Sequence, residues 1–316
     1  MISYQYCISY YRYLGGMVEL RHLRYFCVVA EELNLTRAAK KLFIAQPPLT
    51  RQIKQLEEEV GADLFVRVPR GLTLTPAGLF FYQHATQILS KVSVTLEETR
   101  RVAQSGKSVF GIGFVPSIFY GQLPSMVRRL RQKTKAEIML YELKTGEQLE
   151  ALKSGKIDIG FGRIHIKDDE IEQTTLFQEP MLVALPKGHP LANKPISIFD
   201  LAKLPFILYP AGQSPTFADI CLELFVKNGL SVRVNQQVND IQTALGLVAS
   251  EMGFALVPEQ VKRINRDDVE FVELEDKSLT CPVICSQRKE AHNDIMLSAI
   301  NILNELVTNR TTGKYP

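Results

Sequence analysis

Apolar residues in the first part of the chain recur at steps of three and four, the spacing that places them on one face of a helix. The first such series begins at Leu20 and predicts a helix that ends near Leu33. Asn34-Leu35-Thr36 interrupts the series. Thr36 is expected to cap a short second helix by accepting a hydrogen bond from a backbone N–H.

A third helix and a small hairpin are predicted to follow. Pro47 and Pro48 suit the first turn of a helix, because the N–H groups there have no partner within the helix. Gly61 is expected to end this helix. Two short β-prone pieces over 64–75, on either side of Pro69-Arg70-Gly71, have the composition of a hairpin. Three helices and a hairpin predict one compact unit.

A long helix is predicted from Pro76 to about Gln104, because only Gly78 interrupts the helical pattern there. Seven residues in this stretch alternate between spacings of three and four: Tyr82, Ala85, Leu89, Val92, Leu96, Thr99 and Ala103. Such a heptad seam predicts a partner helix. Phe81 and Ile88 broaden the apolar face, so packing of this helix against its own domain remains the alternative.

The region beyond Gly106 alternates short apolar runs with helical stretches, from VFGIGFV at its start to TCPVICS near its end. This alternation is typical of a parallel sheet covered by helices. At roughly 200 residues the region exceeds one typical domain. We therefore expect two Rossmann-like α/β lobes.

Composition narrows the class of protein. The 316 residues are 46% hydrophobic and 22% charged, with a net charge of +3, so any strongly basic surface must be local. Five cysteines without a Cys-x-x-Cys pair argue against a disulfide framework and against a zinc ribbon. A reducing cytoplasm is the expected compartment, and no metal or cofactor is expected. The tyrosine-rich residues 1–16 are interpreted as an unstructured extension, with Met17 as the working start.

A local basic surface does exist near the N-terminus. Between Thr36 and Leu56 there are five basic residues and no acidic one. The predicted third helix opens with amide, hydroxyl and guanidinium groups, which match DNA base edges and phosphates. The candidate DNA-binding residues are Thr36, Arg37, Gln46, Pro47, Pro48, Thr50, Arg51, Lys54 and Arg70. Arg70, at the hairpin tip, is expected to enter a minor groove; a solvated basic face is the simpler alternative.

These residues resemble a known family. The stretch HLRYFCVVAEELNLTRAAKKLFIAQPPLTRQIKQLEEEVGADLFVRVPRGLTLTPAG is similar to the winged helix-turn-helix of LysR-type transcriptional regulators, and the likeness continues to the end of the chain. GFVPSIFYGQLP, ELKTGEQLEALKSGKIDIGFGR and DIQTALGLVASEMGFALVP are most similar to the branch that senses muconate or related products of aromatic degradation. The resemblance implies a coinducer cleft between two lobes.

The resulting expectation is a winged helix-turn-helix over 17–75, a linker and dimerisation helix over 76–106, and an effector-binding region over 107–316. Lobe I is expected to take 107–178 and 285–316, and lobe II 179–284. The expected partners are promoter DNA, further copies of the chain in a dimer and then a tetramer, and RNA polymerase, but no membrane. Activation and repression both remain open.

Three hydroxyl residues are predicted where a strand ends and a helix begins. Ser117 follows VFGIGFV, Thr145 has Gln148 three residues on as in a capping box, and Ser214-Pro215 opens a helix that Asn228-Gly229 closes. Ligands of doubly wound sheets bind at strand carboxyl ends, where helix N-termini offer unpaired N–H groups. We expect a small mono- or dicarboxylate here; the simpler alternative is that these hydroxyls only cap helices.

Further effector contacts are expected around these hydroxyls. The resemblance adds three residues from SPTFADI: Pro215, Thr216 and Phe217. Arg163 is the cationic candidate, with a structural salt bridge as its alternative role. The resemblance also implies a second, hydrophobic pocket for an aromatic acid near three apolar residues: Ile118, Leu123 and Pro124.

Two other classes of function remain to be weighed. A two-lobed small-molecule binding protein that does not act on DNA would leave the helix-turn-helix and hairpin without a role. For an enzyme, the sequence has no Gly-x-Ser-x-Gly elbow and no Walker loop, and Val115-Pro116 follows Gly111-x-Gly113 where a dinucleotide loop needs a third glycine. A ligand-responsive DNA-binding regulator is therefore the leading hypothesis.

Overall fold

A computed structural model describes residues 18–69, 71–212, 215–289 and 294–311. The chain divides into two compact units, Met1–Glu97 and Glu98–Pro316. Three predicted features lie outside the described residues: the extension over 1–16, Arg70 and Ser214.

The N-terminal unit begins with three helices: α1 (Leu20–Glu32), α2 (Leu35–Lys41) and α3 (Gln46–Val60). Gly61 takes a left-handed conformation after α3, as predicted, with φ of 75°. Asn34, not Thr36, caps α2, because its side chain is the one that accepts the backbone N–H of Arg37. The predicted cap at Thr36 is therefore wrong, since Thr36 already lies inside the first turn.

The predicted hairpin is confirmed. Strands β1 (Phe65–Val68) and β2 (Gly71–Leu74) pair antiparallel, with Val68 opposite Gly71. The Leu72 N–H donates to the carbonyl of Leu33 at 2.9 Å, which fastens the hairpin to the end of α1. A Cβ on Gly71 would lie 2.6 Å from that carbonyl oxygen, so only glycine permits this approach.

The long helix α4 (Pro76–Ser105) is buried to different degrees along its length. Ala85 is buried, and Tyr82 and Leu89 pack on the core of the N-terminal unit. These three residues of the predicted seam therefore pack within their own domain, which was the alternative to packing against a partner helix. Leu96, further along the seam, has 53% of its surface exposed and is left without cover in the described chain.

The C-terminal unit contains a mixed sheet of seven strands. Its lobe I part holds β3 (Val109–Phe114), β4 (Glu137–Glu142) and β5 (Ile159–Gly162), in the order β5-β3-β4 with parallel pairing. Two long strands, β6 (Ile171–Pro186) and β11 (Thr280–Arg288), pair antiparallel and run between the lobes. The parallel pairing predicted from the sequence is thus found at β3, β4 and β5, whereas the crossing strands pair antiparallel.

Lobe II continues from β6 with antiparallel partners. The strands β9 (Ala255–Pro258) and β10 (Val269–Glu273) both pair with β6, and β7 (Phe206–Leu208) pairs parallel with β8 (Val234–Gln237). Separate apolar cores fill the two lobes, one from Met181 to Cys281 and the other around β3 and the C-terminal helix.

The helices of this unit are α5 (Pro116–Phe119), α6 (Leu123–Lys133), α7 (Thr145–Ser154), α8 (Ile198–Leu201), α9 (Phe217–Lys227), α10 (Ile241–Ala249) and α11 (Asp294–Thr311). No described helix is both long enough and apolar enough to cross a bilayer. Within the same residues, no cluster of three or more His, Cys, Asp or Glu side chains could hold a metal ion.

Candidate functional site

The predicted DNA-binding residues that the structure describes lie on α2 and the first turns of α3. Leu49, Ile53 and Leu56 form the buried side of α3. The opposite side carries the predicted polar residues, which are exposed apart from the half-buried Thr50. The amphipathic spacing of α3 therefore presents these groups outward.

Two hydrogen bonds order the polar groups at the start of α3. The Thr36 hydroxyl donates to Gln46 Oε1 at 3.1 Å, and the Thr50 hydroxyl donates to the Gln46 carbonyl at 3.1 Å. Because its Oε1 is occupied, Gln46 is oriented with its amide NH₂ available as a donor. A fixed donor at a helix N-terminus suits recognition of a base acceptor in the major groove.

The basic residues of this surface differ in how free their charges are. Arg37 donates from Nε to Glu32 Oε2 at 3.2 Å and also bonds to the Glu32 carbonyl. Lys54 approaches Glu58 at 3.7 Å. Arg51 has no ion pair within the described chain and is exposed, so its guanidinium is the one best placed to bind a base or phosphate.

A cavity of about 550 Å³ lies between the two lobes of the C-terminal unit. Its walls are mostly apolar, with a few polar groups, as is usual for a small-molecule site. All six predicted effector residues line it: Ser117, Thr145, Arg163, Pro215, Thr216 and Phe217. The structure thus brings together residues that are about a hundred positions apart in the sequence.

The lobe I hydroxyls reach the cavity by a different local geometry from the predicted caps. Ser117 lies inside the short helix α5, whose N-cap is Val115. Thr145 is the first residue of α7, and the capping box there joins Lys144 and Glu147, with Glu147 Oε2 accepting the Lys144 N–H at 2.9 Å. Both predicted caps are wrong, because each helix starts one or two residues earlier than expected.

Thr145 keeps its hydroxyl available. Gln148, the residue predicted to complete its capping box, instead donates to the carbonyls of Leu143 and Phe161. Thr145 is only 7% exposed and makes no hydrogen bond through its side chain within the described residues. Its hydroxyl therefore remains free to bind a ligand in the cavity.

On the lobe II side, Thr216 is the N-cap of α9. Its backbone N–H and its hydroxyl both lie within hydrogen-bond distance of Asp219 Oδ2, at 2.6 and 3.1 Å. The Thr216 hydroxyl is thus engaged in capping α9. Helix capping is the simpler role that the sequence analysis considered for hydroxyls at strand ends. Phe217, 7% exposed, packs against Tyr209 with ring centroids 5.6 Å apart and supplies apolar wall.

Arg163 is held in a buried network. Its Nη2 donates to Glu179 Oε2 at 2.7 Å, and both side chains are 2% exposed. Burial acts to lower the pKa of the Arg163 guanidinium, but Cys281 and Glu179 beside it outweigh the burial and raise that pKa. Arg163 is therefore charged and already paired with Glu179. This is the structural salt bridge that the sequence analysis gave as its alternative role.

The same network sets the direction of the Ser117 hydroxyl. Arg163 Nε donates to Ser117 Oγ at 2.8 Å. Since Oγ accepts there, its proton must point elsewhere, and Ser117 lines the cavity. Arg163 thus makes Ser117 a hydrogen-bond donor toward the cleft. Glu179 Oε1 also accepts the backbone N–H of Gln260 at 2.8 Å, so the network joins β5, β6 and lobe II.

A second, smaller hollow of about 20 Å³ lies behind this network in lobe I. Ile118 and Leu123 line it, together with Phe177; that it binds an aromatic acid stays a prediction. Pro124 does not; it borders a separate surface hollow beside Arg128. The Pro124 assignment is therefore wrong, because that residue sits on the outer side of α6.

Sequence reasoning missed two further residues of the main cavity. Tyr209 lines it, is 5% exposed, and its hydroxyl has no hydrogen-bond partner within the described chain. Burial raises the pKa of Tyr209 well above its usual value, so its hydroxyl keeps its proton. Lys144 also lines the cavity. No sequence pattern distinguishes either residue, because each lies just after the end of a strand, as many other residues do.

Comparisons with known proteins agree with this geometry. The HTH-type transcriptional regulator CatR of Pseudomonas putida is 48% identical over 90% of this chain and 98% of its own length. A crystal structure of full-length CbnR complexed with its target DNA matches with a TM-score of 0.65 and 30% identity, covering 92% of this chain and all of that one.

A third similar protein has been solved with a ligand. The effector-binding domain of BenM, a regulator of Acinetobacter baylyi, was solved with its effector benzoate. It matches with a TM-score of 0.61 and 32% identity, over 66% of this chain and 95% of that one.

Family models cover both units. Residues 20–79 match the bacterial regulatory helix-turn-helix protein of the lysR family, and residues 103–304 match the LysR substrate binding domain. The second match alone spans more than half of the chain, and the two models fall on the described helix-turn-helix and on the two-lobed unit with its cavity. The chain therefore belongs to the LysR family of helix-turn-helix transcriptional regulators.

Proposed function

We propose that this chain is a cytoplasmic LysR-type regulator whose action at a promoter responds to cis,cis-muconate or a related product of aromatic degradation. The observation that carries the proposal is the cavity of about 550 Å³ in which Ser117 and Thr145 offer hydroxyl donors between apolar walls. Hydroxyl donors bind carboxylates, and apolar walls accommodate a conjugated carbon chain. The likeness to CatR and to the benzoate-bound domain of BenM supports this choice of ligand.

On the DNA side, we propose that α3 enters the major groove with Gln46, Thr50 and Arg51 against base edges or phosphates. Thr36, Arg37 and Lys54 contact the backbone beside them. The exposed and unpaired Arg51 supports this assignment, because a free guanidinium binds guanine or phosphate without first breaking an ion pair. Pro47 and Pro48 fix the start of α3, and Arg70, which lies outside the described residues, remains the proposed minor-groove contact.

Assembly is proposed to use the outer face of α4. Ile88 and Leu96 are 47% and 53% exposed. An apolar stripe of this kind on a long helix suits a second copy of the same helix. A dimer would present two recognition helices to DNA, and a tetramer built from two dimers would present four. RNA polymerase is the further partner that a promoter-bound regulator would meet.

The proposal is tested by measuring fluorescence anisotropy of labelled promoter DNA with the purified full chain, with and without cis,cis-muconate. We expect salt-sensitive DNA binding, since phosphate contacts release counterions. We also expect muconate to alter the affinity or stoichiometry. Binding that never distinguishes promoter DNA from random DNA would contradict the regulator; sequence-specific binding without any response to muconate would contradict only the effector.

A further inference from the structure

The buried hydroxyl of Tyr209 is an unsatisfied polar group within the described chain. It lies at the end of β7 in lobe II, 5% exposed, and meets no hydrogen-bond partner within the described chain. Burying a hydroxyl without a partner is unfavourable, and such groups in native proteins need an explanation. Because Tyr209 lines the cleft cavity, a bound ligand is the partner that would satisfy it.

The neighbours of Tyr209 indicate which ligand atom it would meet. Arg163 lies close enough to Tyr209 to influence its ionisation, and the same Arg163 turns the Ser117 hydroxyl into a donor toward the cavity. Tyr209 and Ser117 thus offer two O–H donors in the buried part of the cleft. Two neutral donors beside a buried guanidinium suit one carboxylate group.

Lys144 provides a cation at the exposed part of the same cavity. Its Nζ lies 3.7 Å from the position that a Cβ on Gly212 would take, so the side chain spans from lobe I to the loop of lobe II. No ion pair involving Lys144 occurs within the described chain. Arg163, the other basic residue of the cavity wall, is held by Glu179.

Three acidic residues also line the cavity, and two of them are already engaged. Glu147 accepts the backbone N–H of Lys144, and Asp240 accepts the backbone N–H and the hydroxyl of Thr243. Glu142 is exposed at the end of β4. These carboxylates repel an anion. An anionic ligand is therefore expected to bind beside the O–H donors and the Lys144 ammonium.

We propose that Tyr209 and Lys144 are effector-binding residues that hold opposite ends of a dicarboxylate, with the Tyr209 hydroxyl on the buried carboxylate and the Lys144 ammonium on the exposed one. This inference rests on the proposed function and names the residues that select a diacid over a monoacid. An apolar acid with one carboxylate satisfies Tyr209 and Ser117 but leaves Lys144 without a partner.

Calorimetric titration of the full chain tests the two residues separately. The ligands are cis,cis-muconate and its monomethyl ester, and the variants are Tyr209→Phe and Lys144→Met. For Tyr209→Phe we expect muconate affinity to fall about tenfold or more, because a charge-assisted hydrogen bond is lost. The melting temperature should stay the same or rise, because the substitution removes an unsatisfied buried group. If the hydroxyl were only structural, Tyr209→Phe would lower the melting temperature and leave muconate affinity unchanged.

For Lys144→Met we expect the preference for the diacid over the ester, about tenfold in the wild type, to disappear. Tyr141→Phe and Lys156→Met are the matched controls; neither residue lines the cavity, and Lys156 lies over the Tyr141 ring. Muconate binding unchanged in Tyr209→Phe, or a diacid preference retained in Lys144→Met, overturns the corresponding assignment alone. A wild-type chain that binds neither ligand overturns the proposed effector as well.

Discussion

The helix-turn-helix surface and the effector cleft are both polar sites, but they hold their polar groups in opposite ways. On α3, Gln46 and Arg51 are exposed on a helix whose other side is buried. In the cleft, Ser117 and Arg163 are 8% and 2% exposed and bonded to each other. An exposed array can contact a large partner directly, whereas a buried network admits only a small ligand that matches its donors.

The difference has an energetic consequence. Exposed charges on α2 and α3 form surface ion pairs, which contribute little to stability. The net contribution of the buried Arg163–Glu179 pair to stability is also small. Removal of one partner, however, leaves a buried charge without its counter-charge. Removal of an exposed charge should therefore change binding, whereas removal of one member of the buried pair should change folding.

The largest effect is expected for Glu179→Gln. Loss of the carboxylate leaves the buried guanidinium of Arg163 without its counter-charge, which should destabilise the C-terminal unit by about 3 to 5 kcal/mol. Urea unfolding of the full chain measures this change. Glu223→Gln removes an exposed partner of Lys227 and should change stability by less than about 1 kcal/mol. Equal effects of the two substitutions would contradict the distinction between buried and exposed pairs.

A charge on the outer face of α4 should dissociate the oligomer. Leu96→Glu buries a carboxylate in the proposed helix pair, at a cost on the order of several kcal/mol per interface. Sedimentation velocity should then show a smaller species, whereas Leu96→Met should sediment as the wild type. Leu89→Glu should instead unfold the N-terminal unit, because Leu89 packs on its core. An intact oligomer in Leu96→Glu would place the interface elsewhere.

Arg51→Ala should weaken specific DNA binding by about 1 to 3 kcal/mol without loss of stability. The physical reason is that the exposed guanidinium is proposed to contact DNA and forms no ion pair within the described chain. Anisotropy with promoter DNA measures the change. Arg21→Ala removes an arginine of α1 that already pairs with Glu19, and it should leave affinity unchanged. Equal affinities of the wild type and Arg51→Ala would show that the recognition surface is wrong.

The smallest effect concerns the turn between α2 and α3. Phe43 has a φ of 57° and is 95% exposed, so its backbone is strained and its ring is not buried. Phe43→Gly should stabilise the N-terminal unit by about 0.5 kcal/mol, since relief of the left-handed strain slightly exceeds the added chain entropy. Phe43→Ala keeps the strain and serves as the control. Thermal unfolding that ranks alanine above glycine would refute the strain argument.

Much of the N-terminal unit could be predicted from the sequence because its signals are local. Proline near the start of α3, Gly61 at its end and glycine at the hairpin each act within a few residues. The helix caps were harder to predict. Asn34 and Thr36 lie two positions apart and are both good capping residues, so only the direction in which the chain enters the helix distinguishes them.

The cleft was predicted in outline but not in its contacts. Strand ends and hydroxyls pointed to Ser117 and Thr145, and both line the cavity. The pairing of Arg163 with Glu179 depends on β11 pairing with both β5 and β6, which no local pattern encodes. Tyr209 was missed because an unsatisfied hydroxyl is a property of the packed structure and has no sequence signature.

The account's central claim is that DNA docking and effector sensing use separate residues in separate units. The most direct test measures promoter affinity by anisotropy and cis,cis-muconate affinity by calorimetry for the wild type, Arg51→Ala, Ser117→Ala and Thr145→Val. We expect Arg51→Ala to lose DNA affinity and keep muconate affinity. Ser117→Ala and Thr145→Val should lose about tenfold or more in muconate affinity and keep basal DNA binding. Loss of both affinities in Arg51→Ala and in Thr145→Val alike would contradict the claim.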